Sequence, residues 1–301
     1  MRLTPPTRDV DPGSIDIMSP TSPTIAPSAA STTGPGALRS LVRRHPVLAF
    51  AVPAIGLTVA LQLGLLVSGR DVLPGKVAEL FILTGLAVAV TALVGGRAEV
   101  RRLYAGLLRW RIGVGRWLLV LFAVPAMTLA AAATTGTLGV PAQGWGGVAI
   151  KTVIVFLFVL LTASVWEEAA WTGLVQTRLM ARSGLLRGSL LAAVPFCLVH
   201  LPLAFEADGW AGTTWSEALT AWAWMLAALP FFRYLAGMLL IDSRGSVLAV
   251  AVLHASFNAA GSMSVLQGLG TQYVPAMIIV TLAYAGYRRL RHRSSATGEL
   301  G

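Results

Sequence analysis

Apolar residues run along this chain in long, nearly unbroken stretches. Eight of them lie at about 47–68, 76–95, 117–135, 147–177, 187–204, 217–241, 245–264 and 271–287. Each approaches or exceeds the ~20 residues a helix needs to cross the hydrocarbon core of a bilayer. None alternates as a half-buried strand would. The fourth stretch is too long for one simple crossing, so it must tilt or run past the core at one end. The pattern predicts an all-α polytopic membrane protein with eight transmembrane helices.

The polar connections set the expected orientation. Arg39, Arg43 and Arg44 precede the first stretch, and Arg97, Arg101, Arg102, Arg109, Arg111 and Arg116 join the second to the third. Arg178, Arg182 and Arg187 follow the fourth, Arg244 follows the sixth, and Arg288, Arg289, Arg291 and Arg293 follow the eighth. The alternate connections are almost free of arginine. This asymmetry places the N-terminus and C-terminus in the cytoplasm. Residues 97–116 read as an amphipathic helix on the cytoplasmic surface, with Leu103, Leu107, Leu108 and Trp110 among its arginines. Trp145, Trp210, Trp215, Trp222 and Trp224 fall near the outer interface, where an aromatic belt is expected.

Composition agrees. The chain is 55% hydrophobic and 12% charged, about half the charge of a soluble domain. Its net charge of +10 comes mostly from arginines beside apolar runs, which argues for a lipid bilayer as partner and against nucleic acid. A single cysteine, Cys197, excludes an intrachain disulfide and a thiolate metal cluster. Residues 1–36 are rich in Pro, Ser and Thr, are expected to be disordered, and lack the apolar region of a cleavable signal peptide. The organisation read from this is a tail at 1–36, a membrane domain at 37–290, and a basic cytoplasmic tail at 291–301. Arg-rich, Lys-poor usage points to the cell membrane of a bacterium.

Against this background a few ionisable residues stand out. Glu167 and Glu168 are adjacent inside the fourth stretch, and an intramembrane carboxylate marks a functional site by default. Of four histidines, His45 and His292 flank the helices, while His200 and His254 lie within the fifth and seventh stretches. Counted from the arginines at the cytoplasmic ends, Glu167 lies roughly 16 Å deep, His200 roughly 20 Å and His254 roughly 15 Å. Three helices thus bring a carboxylate and two imidazoles to one level. Asn258 sits one turn beyond His254 on the same face. Glu167 and Glu168 point about 100° apart, so one can act on water while the other orients a partner. A carboxylate with a histidine can activate water against a carbonyl, and a histidine with an asparagine can hold the resulting oxyanion. Glu167, His200 and His254 also form a zinc-type ligand set, although no His-Glu-x-x-His helix is present. Metal-free and zinc chemistry both stay open at this level. Cys197, three residues before His200, reads as a small buried hydrophobe rather than a nucleophile.

The order Glu167-Glu168, then Phe196-x-x-x-His200, then His254-x-x-x-Asn258, each on its own membrane helix, resembles the CAAX prenyl protease and bacteriocin-processing (CPBP, abortive-infection) family over about residues 150–262. The resemblance implies an intramembrane endopeptidase of the Ras-converting type, acting on a membrane-associated peptide or protein. It implies Glu167 as water-activating base with His200, Glu168 as the neighbouring acid, and His254 with Asn258 as the oxyanion pair. One departure stands out. The family's first motif usually reads Glu-Glu-x-x-x-Arg, and here the last position is Thr172. Arg233, near mid-membrane in the sixth stretch, is a candidate to neutralise Glu167 or Glu168, the alternative being that it snorkels to the interface. Two other readings compete with the peptidase. One is a catalytically inactive relative serving as a membrane scaffold, immunity or maturation partner, which the missing arginine favours. The other is a proton-coupled transporter, which the absence of an internal repeat disfavours.

Overall fold

A computed structural model describes residues 35–267 and 272–297, with side chains described from Gly36 to Arg291. Positions 1–34 of the expected disordered tail, the last four residues of the basic tail and the side chain of His292 lie outside that description. Each of the eight apolar stretches contains a helix. A short surface helix, α1 (Pro35–Arg44), precedes α2 (Pro46–Val67) and α3 (Leu73–Ala105). Next come α4 (Val114–Thr134), the long α5 (Gly144–Ser183) and α6 (Leu185–Val199). The bundle ends with α7 (Trp215–Asp242), α8 (Val247–Gly261) and α9 (Tyr273–Thr297). Among the described residues the β contact is a single isolated bridge between Leu138 and Leu266.

Among the described residues, five helices, α2, α3, α4, α5 and α7, are long and apolar enough to cross a membrane. The count differs from eight for a physical reason. Helices α6 and α8 have 15 residues each, a rise of roughly 22 Å, less than the ~30 Å of hydrocarbon. Helix α9 is long, but its second half turns basic at Arg288. The two short helices are the ones that end in or carry His200 and His254. In α8, twelve of fifteen residues are buried, so it is an internal helix wrapped by protein. Its alanines, among them Ala249, Ala251, Ala255 and Ala259, let α4 and α5 approach closely, as small residues do between membrane helices.

Arginines gather at one end of the bundle. Arg39 and Arg43 donate to the Leu93 carbonyl at 3.4 and 3.3 Å. Arg109 donates to the Arg244 carbonyl, Arg178 faces Glu99 at 3.8 Å, and Arg288 pairs with Asp242 at 2.9 Å. The expected surface helix at 97–116 is shorter than its pattern suggests. Helix α3 breaks at Gly95 and Gly96, where Gly96 adopts φ 66° and ψ −158°, a conformation open essentially to glycine alone. The helix resumes to Ala105, and a 3₁₀ turn follows at Gly106–Leu108. Gly106 ends the regular helix where it meets α8, since a Cβ there would lie 2.5 Å from Val247 Cγ2. Leu103 is buried, while Leu108 and Trp110 stay exposed.

The turn entering α8 is fastened to this loop. Ser246 Oγ donates to the Arg109 carbonyl at 2.6 Å and accepts from the Ala249 N–H at 3.1 Å. It is therefore both the N-cap of α8 and its anchor. Arg244 (φ 55°) and Gly245 (φ 87°) make the reversal out of α7. The placement of His254 thus begins at Ser246, two turns earlier.

Candidate active site

Helix α5 is not a uniform α-helix. Two π-helical stretches, Leu160–Ser164 and Trp171–Gln176, flank the α-helical Val165–Ala170 that carries both glutamates. A π-bulge shifts the facing of the residues beyond it and recurs at functional sites. Before the first bulge, Ile150, Ile154, Leu157 and Phe158 face outward. After it, Glu168, Ala169, Ala170, Trp171 and Thr172 turn into the core.

Glu168 is fully buried and fully engaged. Its Oε2 and Oε1 accept from the two terminal nitrogens of Arg233 at 2.8 and 2.9 Å. The Thr172 hydroxyl also donates to Oε2 and accepts from Arg233 Nη1 at 3.0 Å. His254 Nδ1 lies 2.9 Å from Oε1. Arg233 does not snorkel. It is itself fully buried, and its guanidinium stacks 3.6 Å over the Phe196 ring, a cation–π contact in a water-poor setting. The backbone beneath it is pinned as well. Gln176 Nε2 donates to the Arg233 carbonyl at 2.7 Å. Gly237, one turn on, leaves room for Ser189 and Gln176, whose atoms a Cβ would meet at 2.5 and 2.9 Å. The short Thr172 side chain leaves space for a guanidinium arriving from α7, and the fork geometry matches a carboxylate.

Glu167 has the opposite character. It keeps about an eighth of its side chain accessible, and its Oε2 lies 3.9 Å from His254 Nδ1. His254 therefore stands between the two carboxylates and leans on Glu168.

His200 owes its position to the end of α6. The helix interior holds Pro195, and Pro202 follows two residues after His200, forcing a 3₁₀ turn at Leu201–Phe205. The His200 N–H tightens onto the Cys197 carbonyl at 3.1 Å. That frees the Phe196 carbonyl, which lies 2.7 Å from His200 Nδ1. A carbonyl only accepts, so Nδ1 carries the proton and Nε2 faces away from the backbone. His200 is within electrostatic range of Glu167, His254 and Arg233. The turn beyond it is held by Trp222, whose indole donates to the Leu201 carbonyl at 2.9 Å.

His200, His254 and Asn258 line one cavity of about 260 Å³, together with Phe196, Phe257, Trp222 and Trp224. Trp222 and Trp224, expected near the outer interface, also form part of this wall. Asn258 is exposed toward it, one turn from His254. The glutamates lie beside and behind His254 rather than on the wall. Cys197 is buried as a free thiol, and the thiol reading gains nothing from its surroundings.

Glu167, His200 and His254 are the donors the sequence offers to zinc. Among the described residues, no three His, Cys, Asp or Glu side chains gather closely enough to hold a metal ion. Each imidazole Nδ1 lies against an acceptor, a carbonyl for His200 and Glu168 for His254, which is the outer bond a metal-ligating imidazole also makes and leaves both Nε2 atoms open. The donors nonetheless do not converge on one point, so the scheme below runs on side chains alone.

Sequence reasoning missed one residue near the site. Glu79 on α3 is buried, accepts from Gln62 Nε2 of α2 at 2.9 Å, and is within electrostatic range of Glu167. The signal was available, since Glu79 is also a carboxylate inside an apolar stretch. Replacing Glu79 with Leu strands the fully buried Gln62 amide. The expected loss is about 1–3 kcal/mol, read as a lower thermal unfolding midpoint in detergent. Glu79→Gln, which can still accept from Gln62, should lose less.

Residues 149–260 match the family model for type II CAAX prenyl endopeptidases, Rce1-like. The matched stretch contains both glutamates, both site histidines, Asn258 and Arg233. No match among curated proteins was found.

Proposed function

Because residues 149–260 carry an Rce1-like domain, we propose that this protein is an intramembrane endopeptidase that hydrolyses a peptide bond of a membrane-associated peptide or protein. The observation that carries this reading is the tethering of His254 to Glu168 and Arg233, beside a cavity that His200 and Asn258 share. Glu168, saturated by Arg233 and Thr172, is the orienting acid. Glu167, accessible and without a bidentate partner, is the base. Water held by Glu167 and His200 gives a proton to Glu167 as its oxygen attacks the scissile carbonyl. The tetrahedral oxyanion accepts from the His254 Nε2–H and the Asn258 amide N–H. Glu167 then returns the proton to the leaving nitrogen.

Glu168 only accepts, so His254 turns a protonated Nδ1 to it, and the scheme assigns to its Nε2 the proton that meets the oxyanion. The arrangement also bears on the inactive-scaffold reading. That reading drew on Thr172, and Arg233 brings to Glu168 the guanidinium that Thr172 lacks. We further propose that the arginine-rich end of the bundle faces the cytoplasm of a bacterial cell, with eight membrane-embedded segments and both termini on that side.

Asn258→Ala offers the cleanest test of the oxyanion role, because its side chain is exposed and its loss should leave folding intact. The expected result is a fall in kcat of roughly 10²-fold with little change in KM, measured on a membrane-anchored fluorogenic peptide. An unchanged kcat would remove Asn258 from the mechanism.

A further inference from the structure

The cavity that His200, His254 and Asn258 share has a direction. Helices α6 and α8 begin at the arginine-rich end, next to Arg182 and Arg244, and run away from it. His200 stands just past the last residue of α6, and Asn258 lies in the last turn of α8. Leu203 and Ala204 on the cavity wall belong to the turn beyond α6, and Tyr273 is the first residue of α9. Helix α7 runs the opposite way, and its lining residues reach from Ala221 to Leu229, in the half that starts at Trp215. Among the described residues, the cavity walls therefore lie level with His254 or farther from the arginines. Ala221, Trp224 and Asn258 on these walls are exposed.

The other side is closed. Between Glu168 and Arg178, α5 presents Trp171, Leu174 and Val175 to the core, and all three are fully buried. Val250 and Ala251 of α8 and Leu239 of α7 are fully buried in the same layer. Interiors packed in this way leave few voids larger than a water molecule. A cleft of about 500 Å³ does open at the arginine-rich end, where Gly173 and Val247 help to line it, but it shares no lining residue with the site cavity. Charged groups also lead to the site from the far side. Glu79, within electrostatic range of Glu167, lies six residues into α3 from its start at Leu73. One turn nearer that start, Lys76 pairs with Glu206 at 2.7 Å on the surface. Glu206 follows directly on the turn that carries Leu203 and Ala204.

We propose that the site is entered from the face opposite the arginines, so that its substrate is a peptide anchored in the outer leaflet and cleaved on the non-cytoplasmic side. This rests on the peptidase reading and on the cytoplasmic placing of the arginine-rich end.

The test reads single cysteines with a membrane-impermeant maleimide, on spheroplasts that express the full-length chain. Cys197 is first replaced by alanine, and label taken up after denaturation gives the total. Asn258→Cys probes the cavity, Ala204→Cys its rim, and Arg111→Cys the arginine-rich end, where Arg111 is exposed. Asn258→Cys and Ala204→Cys should label fully in intact spheroplasts, and Arg111→Cys only after lysis. Labelling of the two cavity positions only after lysis would overturn the proposal, as would labelling of Arg111→Cys from outside. So would an Asn258→Cys that stays unlabelled before and after lysis, because water would then not reach the cavity from either face. Thiol labelling involves no cleavage. An inverted result would leave the peptidase reading standing, and a protein that cleaves nothing would still report which face opens to the site.

Discussion

Arg233→Met should destabilise the protein by about 3–5 kcal/mol, the cost of leaving one member of a buried ion pair without its partner. Both groups are fully buried, and the pair is bidentate at 2.8 and 2.9 Å. Methionine can replace the packing on Phe196 but not the charge opposite Glu168. His254 loses its fixed neighbour at the same time, so hydrolysis should fall with stability. Arg233→Lys should lie between, because an ammonium offers a point charge and no fork. The companion variant is Glu168→Gln in the Arg233→Met background. Removing both charges should recover much of the lost stability without recovering activity, since the worst of the single change is the stranded charge. Thermal unfolding in detergent, run beside the peptide assay, measures both. Unchanged folding and unchanged activity in Arg233→Met would show that the guanidinium does not serve Glu168.

Glu167→Gln should lower kcat by about 10²–10⁴-fold, the usual contribution of a positioned general base, while the unfolding midpoint stays close to that of the parent. The contrast with Glu168 is the point. Gln is nearly isosteric, and Glu167 is partly accessible with its nearest cation-forming neighbour at 3.9 Å. Little stability rests on its charge. His200→Ala and His254→Ala should also abolish cleavage. His254→Ala should cost more stability than His200→Ala, because it removes a buried contact to Glu168, whereas His200 loses a bond to a backbone carbonyl at the end of a helix.

The helical class and the position of each helix were legible because long apolar runs have few alternatives in a bilayer. The number of full crossings was less legible. Apolar length separates a helix bathed in lipid from a soluble one, but not from a short helix wrapped in protein, and α6 and α8 are of the second kind. The site residues were legible through cost, since each of Glu167, Glu168, His200 and His254 is an expensive residue in an apolar run. Cost does not say who pairs with whom. The sequence pointed to Arg233 but could not choose between the two glutamates. That choice depends on two π-bulges in α5, on Gly237 admitting α7 close to α6, and on the small Thr172. Glu79 was overlooked because it stands alone, with no neighbouring motif residue to draw the eye. That Trp222 and Trp224 also wall a cavity was not legible, because tryptophan near an interface already has a general explanation. Only the turn after His200 brings them to the cavity.

The most direct measurement is product analysis by mass spectrometry, with the protein and a membrane-anchored peptide reconstituted together in proteoliposomes. The unaltered protein should produce one internal scission, and in ¹⁸O-labelled water the new carboxyl end should carry the label. Glu167→Gln and His254→Ala, each shown to be folded, should yield no product. Equal product from the folded variants, or no scission by the folded parent across a broad panel of membrane-anchored peptides, would contradict the peptidase account.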